Sequence, residues 1–358
     1  MKIENFISYE QPTNYIVHSD QYTKDGQIPV LTAGQSFVLG YTDEEDGIYT
    51  GEPVVIFDDF TTSVQYVDFP FKVKSSAMKI LKNKQNANIK FCYYLLSWLQ
   101  KMPPNHKRQW ISTTSQIDVN LPPIEWQKKI VQKIEAVSNI IKYRKEELKK
   151  LDELVSARFV EMFGDPVSNE YGLSEATLPE LGEFGRGVSK HRPRNDPKLL
   201  GGEYPLVQTG DVANAGLYIT SYSSTYSELG LMQSKMWDKG TLCITIAANI
   251  AKTAILEFDA CFPDSIVGFN ANEKTNNIFI HYWFSFFQAI LESQAPESAQ
   301  KNINLKILSE LKVIVPEKDK QDEFVEFIKQ VDKSKVAVKK ALDETQLLFD
   351  SLMQKYFG

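Results

Sequence analysis

The chain is an internal duplication, and this constrains its fold more than any single motif. The stretch LPPIEWQKKIVQKIEAV from Leu121 resembles VPEKDKQDEFVEFIKQV from Val315, with Pro122 on Pro316 and Gln127 on Gln321. The offset of 194 holds without a gap until Phe163-Gly164 meets Phe357-Gly358. Within each copy apolar positions step by four and three, the mark of a helix burying a narrow seam. In the first copy the steps are Ile130, Ile134, Val137, Ile141, Arg144, Leu148, Leu151, Val155, Arg158 and Met162. In the second they are Phe324, Ile328, Val331, Lys335, Val338, Leu342, Thr345, Phe349, Leu352 and Tyr356. A 3.6-residue period would drift off such a seam over five heptads, so the pattern predicts paired coiled-coil helices rather than two surface helices. About 40 residues of helix extend about 60 Å, which reads as a spacer rather than a core element.

Punctuation fixes the boundaries. Proline suits a helix start, and Gly164-Asp165-Pro166 is a stop signal. The chain therefore divides into a globular segment, 1–121, a helix, 122–163, a second globular segment, 164–315, and a second helix, 316–358. The globular segments echo each other faintly. Ile28-Pro29-Val30-Leu31-Thr32-Ala33-Gly34 resembles Tyr204-Pro205-Leu206-Val207-Gln208-Thr209-Gly210, and Asn88-Ile89-Lys90-Phe91-Cys92-Tyr93-Tyr94 resembles Asn277-Ile278-Phe279-Ile280-His281-Tyr282-Trp283. Short β-branched runs at 52–57 and 241–246 lie between these marks. The expected fold class is mixed α/β (α+β): two pseudo-symmetric domains separated by two long helices forming an antiparallel coiled coil.

Composition sets outer limits. At 358 residues, with 42% hydrophobic and 24% charged, the chain is long enough for two packed domains. Forty Lys+Arg against 46 Asp+Glu leave a formal charge of -6, so any polyanion site must be local. Cys92, Cys243 and Cys261 are scattered in apolar runs, which suits neither a disulfide framework nor a zinc knuckle, and a reducing compartment follows. The opening residues lack an apolar signal core, and the apolar stretch 278–291 is broken by His281 and Gln288 and falls short of a bilayer span. A cytoplasmic protein without a membrane partner is expected.

Taken together, the order and duplication of these parts resemble the specificity subunit of type I restriction-modification systems. The resemblance covers essentially the whole chain. It rests on the Pro-x4-Gln signatures Pro122 to Gln127 and Pro316 to Gln321, on Glu10-Gln11-Pro12-Thr13 leading to Pro29-Val30-Leu31-Thr32-Ala33-Gly34, and on Leu181-Gly182 leading through a basic loop to Thr209-Gly210-Asp211-Val212. It implies a noncatalytic subunit whose two variable domains each read one half of a split, asymmetric sequence in double-stranded DNA. The paired helices would set the gap and offer docking surface to two methyltransferase subunits, which methylate adenine N6 with S-adenosylmethionine. Restriction and motor subunits using ATP and Mg would join them; no cofactor is expected in this chain itself. The length of the helices agrees, since about 60 Å spans at most about 17 base pairs.

Candidate DNA contacts follow from residue chemistry. The second segment has a basic loop containing Arg186, Lys190, His191, Arg192, Arg194 and Lys198 beside Gly185 and Gly187. Arginine forks onto phosphate or guanine, and glycine lets backbone approach closely; a merely solvated loop is the alternative. Gln208, Thr209 and Asp211 follow a short apolar run and have side chains suited to base edges. Comparable positions in the first segment are Thr32, Gln35 and Tyr41, with Gln11, Thr13 and Tyr15 upstream and Lys107 and Arg108 as phosphate contacts. Gln127 and Gln321 are candidates either for helix capping or for partner docking. The aromatic clusters at 91–98 and 282–287 read as core.

No catalytic apparatus is visible. Asn120-Leu121-Pro122-Pro123 lacks the aromatic residue and spacing of an adenine methyltransferase motif, and Gly185-Arg186-Gly187 lacks the rest of a nucleotide fingerprint. His18, His106, His191 and His281 are dispersed, so neither a catalytic triad nor a metal site is suggested. Two alternatives stay open: a self-contained methyltransferase or nuclease, which would act without partners, and a coiled-coil scaffold, which would bind proteins without sequence preference on DNA.

Overall fold

A computed structural model describes residues 1–32, 36–84, 86–100, 108–247, 250–294 and 303–358, leaving aside the side chains of 289 and 291–294. Its first stretch contains β1 (Ile7–Glu10), β2 (Ile28–Leu31), β3 (Val38–Thr42), β4 (Val54–Asp58), β5 (Val64–Val67), β6 (Lys72–Val73), β7 (Met78–Asn83) and α1 (Ile89–Leu99), followed by the long helix α2 (Ile124–Phe163). The second contains β8 (Glu175–Thr177), α3 (Leu178–Leu181), β9 (Gly182–Arg186), β10 (Leu200–Leu206), α4 (Thr209–Asn214), β11 (Tyr218–Ile219), β12 (Ser224–Tyr226), α5 (Glu228–Met232) and β13 (Met236–Trp237). It continues with β14 (Leu242–Thr245), β15 (Thr253–Leu256), β16 (Ala260–Cys261), β17 (Ile266–Ala271), α6 (Asn277–Gln294), α7 (Leu305–Glu310), β18 (Lys312–Ile314) and the long helix α8 (Lys318–Phe357). Strands and helices mix in both stretches, so the fold is mixed α/β.

The chain forms two compact units, Met1–Glu146 with Lys339–Gly358, and Glu147–Val338. In the first unit an antiparallel sheet of order β1-β7-β4-β5 is accompanied by a three-stranded sheet of order β3-β2-β6. Strand β4, Val-Val-Ile-Phe-Asp, is buried throughout, and its period of two sorts it onto two cores. Val55 and Phe57 join α1, α2 and α8; Val54 and Ile56 join Leu31, Phe71 and Val73. The second unit repeats this logic in a larger sheet of order β11-β15-β14-β17-β9. In its central strand β14, Leu242 and Ile244 face the helix side, whereas Cys243 faces a core with Val207, Trp237 and Phe262. The two β-branched runs in the sequence are thus the central strands.

Both long helices are structural parts of the units. Ile130, Val131 and Ile134 from the start of α2 share the first unit's core with Phe349, Met353 and Phe357 from the end of α8. In the second unit Val155, Phe159 and Phe163 from the end of α2 pack with Phe324, Ile328 and Val331 from the start of α8. Ion pairs Lys335–Asp152 at 2.7 Å and Arg158–Glu323 at 3.0 Å fix opposite directions there, because α2 numbers rise as α8 numbers fall. The helices are therefore core elements at their ends, contrary to their reading as pure spacers.

The seam also departs from strict heptads. Ile130, Ile134, Val137, Ile141, Val155, Phe324, Ile328, Val331 and Val338 are buried, and Leu148, Leu151, Leu342, Phe349 and Leu352 are half-buried. Toward each C-terminus burial moves one residue on, to Phe159 and Phe163 in α2 and to Met353 in α8, instead of Arg158, Met162 and Leu352. The physical cause is an added partner. Phe159 stacks among Phe163, Phe279, Phe286 and, on α8, Phe324 with ring centroids 5.0–5.4 Å away, so this part of the helix turns to face α6 as well as α8. Gly164 ends α2 with φ +73°, the left-handed conformation that the Gly-Asp-Pro signal predicts.

Candidate nucleic-acid interface

The Pro-x4-Gln signature is an internal latch. Gln127 is fully buried; its Nε2 donates to the carbonyls of Asn86 at 2.9 Å and Pro122 at 2.8 Å, while its Oε1 accepts the Asn88 N–H at 2.8 Å. Gln321 repeats this with Lys274 O at 3.0 Å, Pro316 O at 2.9 Å and the Thr275 hydroxyl at 2.9 Å. Each glutamine ties the first turn of a long helix to the loop that starts a domain helix. Neither side chain reaches the surface, which corrects their reading as docking residues.

The latches also correct the match between the domain helices. Asn88 caps α1 by accepting the Phe91 N–H at 3.0 Å, and Asn276 accepts the Phe279 N–H at 2.7 Å at the start of α6. Asn88 therefore corresponds to Asn276, one position away from Asn277. The carbonyls that receive the latches, Asn86 and Lys274, keep that same spacing. The Asn277 side chain instead bonds Ala271 N and Gly240 O.

In the second unit Arg186, the last residue of β9, and Lys190, His191, Arg192, Arg194 and Lys198 in the stretch that follows it are all exposed. The loop is organised by two carboxylates. Asp264 pairs with Arg192 at 3.5 Å and with Arg194, and its carbonyl accepts from Arg186 Nε at 3.0 Å. Asp196 accepts from the Lys198 N–H and lies 3.1 Å from His191 Nε2, and these two groups hold it below the usual carboxylate range. Such exposed pairs contribute little stability and exchange readily for another anion. Gln208 is exposed, Thr209 half-buried, and Asp211 is engaged, accepting the Gln208 N–H at 2.8 Å and the Ser223 hydroxyl at 3.3 Å. Asp211 thus caps α4, which occupies part of its capacity to read a base.

In the first unit Gln11 and Thr13 are exposed, and the Tyr15 hydroxyl donates to Glu10 at 2.9 Å. Burial and the neighbouring Glu10 raise the Tyr15 phenol, while a hydrogen bond from Lys82 leads the lowering of Glu10. Thr32 and Tyr41 are half-buried at the ends of the β2–β3 pair, and Arg108 is exposed. Gln35 and Lys107 lie outside the described residues. The structure thus brings Gln11, Thr13 and Tyr15 onto one short turn, Pro12–Tyr15 and the residue before it. Two nearly inaccessible lysines, Lys72 and Lys79, are features that sequence reasoning missed, because strand alternation does not distinguish a buried lysine from a solvated one.

Reactive groups are few among the described residues. Cys92 and Cys243 are buried; burial raises the Cys92 thiol to about 12 and Cys243 further still, so neither is a thiolate at neutral pH. His18, Glu44 and Asp46 bring ligand atoms within 4.8 Å of one another, but the Lys72 ammonium already engages Glu44 at 2.6 Å and the Asp46 carbonyl at 2.6 Å. The donor set is that of an ion-pair cluster. No described helix is long and apolar enough to cross a membrane.

Comparison with known proteins extends these observations. The family model described as type I restriction modification DNA specificity domain matches twice, at residues 3–153 and 174–345. The type I restriction enzyme EcoR124I/EcoR124II specificity subunit of Escherichia coli is 28% identical over 356 residues, spanning 93% of this chain and 86% of its own. The crystal structure of the type I restriction-modification system S subunit from M. genitalium is similar over 100% of this chain and 95% of that one, with a TM-score of 0.62 at 16% identity. A chain from a structure describing complex assembly and conformational transition of the type I R-M system gives a TM-score of 0.53 at 16% identity, covering 100% and 99%.

Proposed function

Because the chain belongs to the type I restriction-modification DNA specificity family, we propose that residues 1–121 and 164–315 are two reading heads for the halves of a split DNA target. One observation carries this reading: a domain, a glutamine latch and a long helix occur twice, and in both units the start of one helix shares a core with the end of the other. Reading heads that each take in the start of one long helix and the end of the other let helix length set a base-pair gap. The chain does not catalyse; methylation and cleavage belong to partner subunits.

Two methyltransferase subunits, with S-adenosylmethionine, dock on the outer faces of α2 and α8, and restriction subunits supply ATP- and Mg-dependent cleavage. With Gln127 and Gln321 buried, the docking surface falls to exposed apolar residues such as Trp126, Tyr143, Leu154 and Leu348. Leu154 and Leu348 are equivalent positions in the duplication, as two copies of one partner require. The acidic chain holds DNA tightly only once a partner adds cations, because phosphate neutralisation drives binding. The assembly is cytoplasmic.

Exchanging residues 1–121 for another first domain, in the assembled methyltransferase, tests this. One half of the methylated motif should change while the other half stays. Simultaneous change of both halves would refute the modular assignment, and methylation by the isolated chain would refute a noncatalytic subunit.

A further inference from the structure

Gln11 stands at the end of β1 with its side chain exposed, and Lys79 lies behind it with only 1% of its surface accessible. The Lys79 ammonium meets three electron-rich groups: Asp59 at 3.3 Å, Gln11 Oε1 at 3.0 Å, and the Tyr9 ring 5.7 Å from its centroid. Asp59 is buried too, and its other carboxylate oxygen accepts the Trp110 N–H at 2.9 Å. Burying such a pair adds little to stability, since apolar side chains of similar volume do as well. Its effect is to orient.

An ammonium only donates hydrogen bonds, so Gln11 must turn its carbonyl inward. Among the described residues the Gln11 amide N–H groups have no partner. A freely rotating glutamine offers either a donor or an acceptor to a base. Held this way, Gln11 offers donors.

We propose that Gln11 reads one base of the first half-site as a hydrogen-bond donor, with Lys79 as its positioning residue. The contacted base then carries an acceptor, such as guanine O6 or N7, thymine O4 or adenine N7, and is not cytosine, whose exposed major-groove group is the N4 donor. This rests on residues 1–121 being a reading head.

The test is methylation of a plasmid library with randomised half-sites by the complex of full chain and methyltransferase, read by modified-base sequencing. In Gln11→Glu, a carboxylate paired with Lys79 presents acceptors, so one position of one half should lose its native base by about tenfold and gain cytosine. Gln11→Ala should lose discrimination at the same position, and Lys79→Met should relax it by freeing the amide to rotate. The other half and the remaining positions of the same half stay unchanged in all three, whereas a merely structural role for Lys79 would relax several positions of that half together. An unaltered motif in Gln11→Glu and Gln11→Ala overturns the inference whether or not Lys79→Met folds. A motif that shows no bipartite dependence on this chain sinks the reading-head assignment, and the inference with it.

Discussion

Replacing Gln321 with leucine removes one buried amide and strands three partners: the Lys274 and Pro316 carbonyls and the Thr275 hydroxyl. A buried polar group left without a partner costs about 1–3 kcal/mol, so the latch contributes about 3–9 kcal/mol to the local closure of α6 against α8. Gln127→Leu should cost a similar amount between α1 and α2, stranding Asn86 O, Pro122 O and Asn88 N–H. A single melting temperature is a poor measure in a chain of two units. Hydrogen exchange by mass spectrometry on the full chain resolves the two sites. At about 1.4 kcal/mol per factor of ten, opening should accelerate about 100-fold or more in segments 274–283 and 316–328 for Gln321→Leu. For Gln127→Leu the same should occur in 86–96 and 122–131, and each variant should leave the other unit's segments unaffected. Acceleration below about threefold, or equal acceleration in both units, would refute the latch as the local fastening.

Three further outcomes follow from the geometry. Burial, with Lys335 nearby, pushes the His281 imidazole down to about 4, while its Nδ1 lies 2.9 Å from the Thr253 hydroxyl. Because the folded value lies below the unfolded one, stability is full above about pH 6.5 and falls as pH drops toward 4; His281 keeps part of its surface open, so about 3 kcal/mol is a ceiling. Urea unfolding at pH 7 and pH 5 should show His281→Asn losing less than the unmodified chain, and equal losses would contradict the assignment. Arg194→Ala in the assembled complex should weaken DNA binding and reduce the slope of log affinity against log salt by about 0.9, and an unchanged slope would exclude Arg194 from phosphate contact. Leu154→Asp and Leu348→Asp should each weaken methyltransferase association in a pull-down titration without altering the chain's circular dichroism; undiminished association would place docking elsewhere.

Several features were legible in the sequence because they are periodic or duplicated. The two long helices and the strands β4 and β14 follow from spacing and β-branched composition, whereas the central places of those strands come only from the structure. What escaped depends on contacts between residues far apart in the chain. The Pro-x4-Gln motif marked a helix start, but the latch needs carbonyls 41 and 47 residues upstream of each glutamine, at Asn86 and Lys274. The basic loop was visible, yet its organiser Asp264 lies 70 residues beyond Arg194. Heptad stepping predicts Arg158 and Met162 in the seam, whereas Phe159 and Phe163 are buried because Phe279 and Phe286 of α6 join Phe324 of the partner helix as neighbours. Phe159 and Met353 are equivalent in the duplication, so comparing the two copies rather than extending the heptad would have found that shift.

Modified-base sequencing of DNA from cells carrying this chain with its methyltransferase tests the central claim most directly. The account predicts methylated adenines in one motif of two short, unlike halves separated by a gap of fixed length, lost when the chain is deleted. A contiguous motif, or one that persists without the chain, would contradict it.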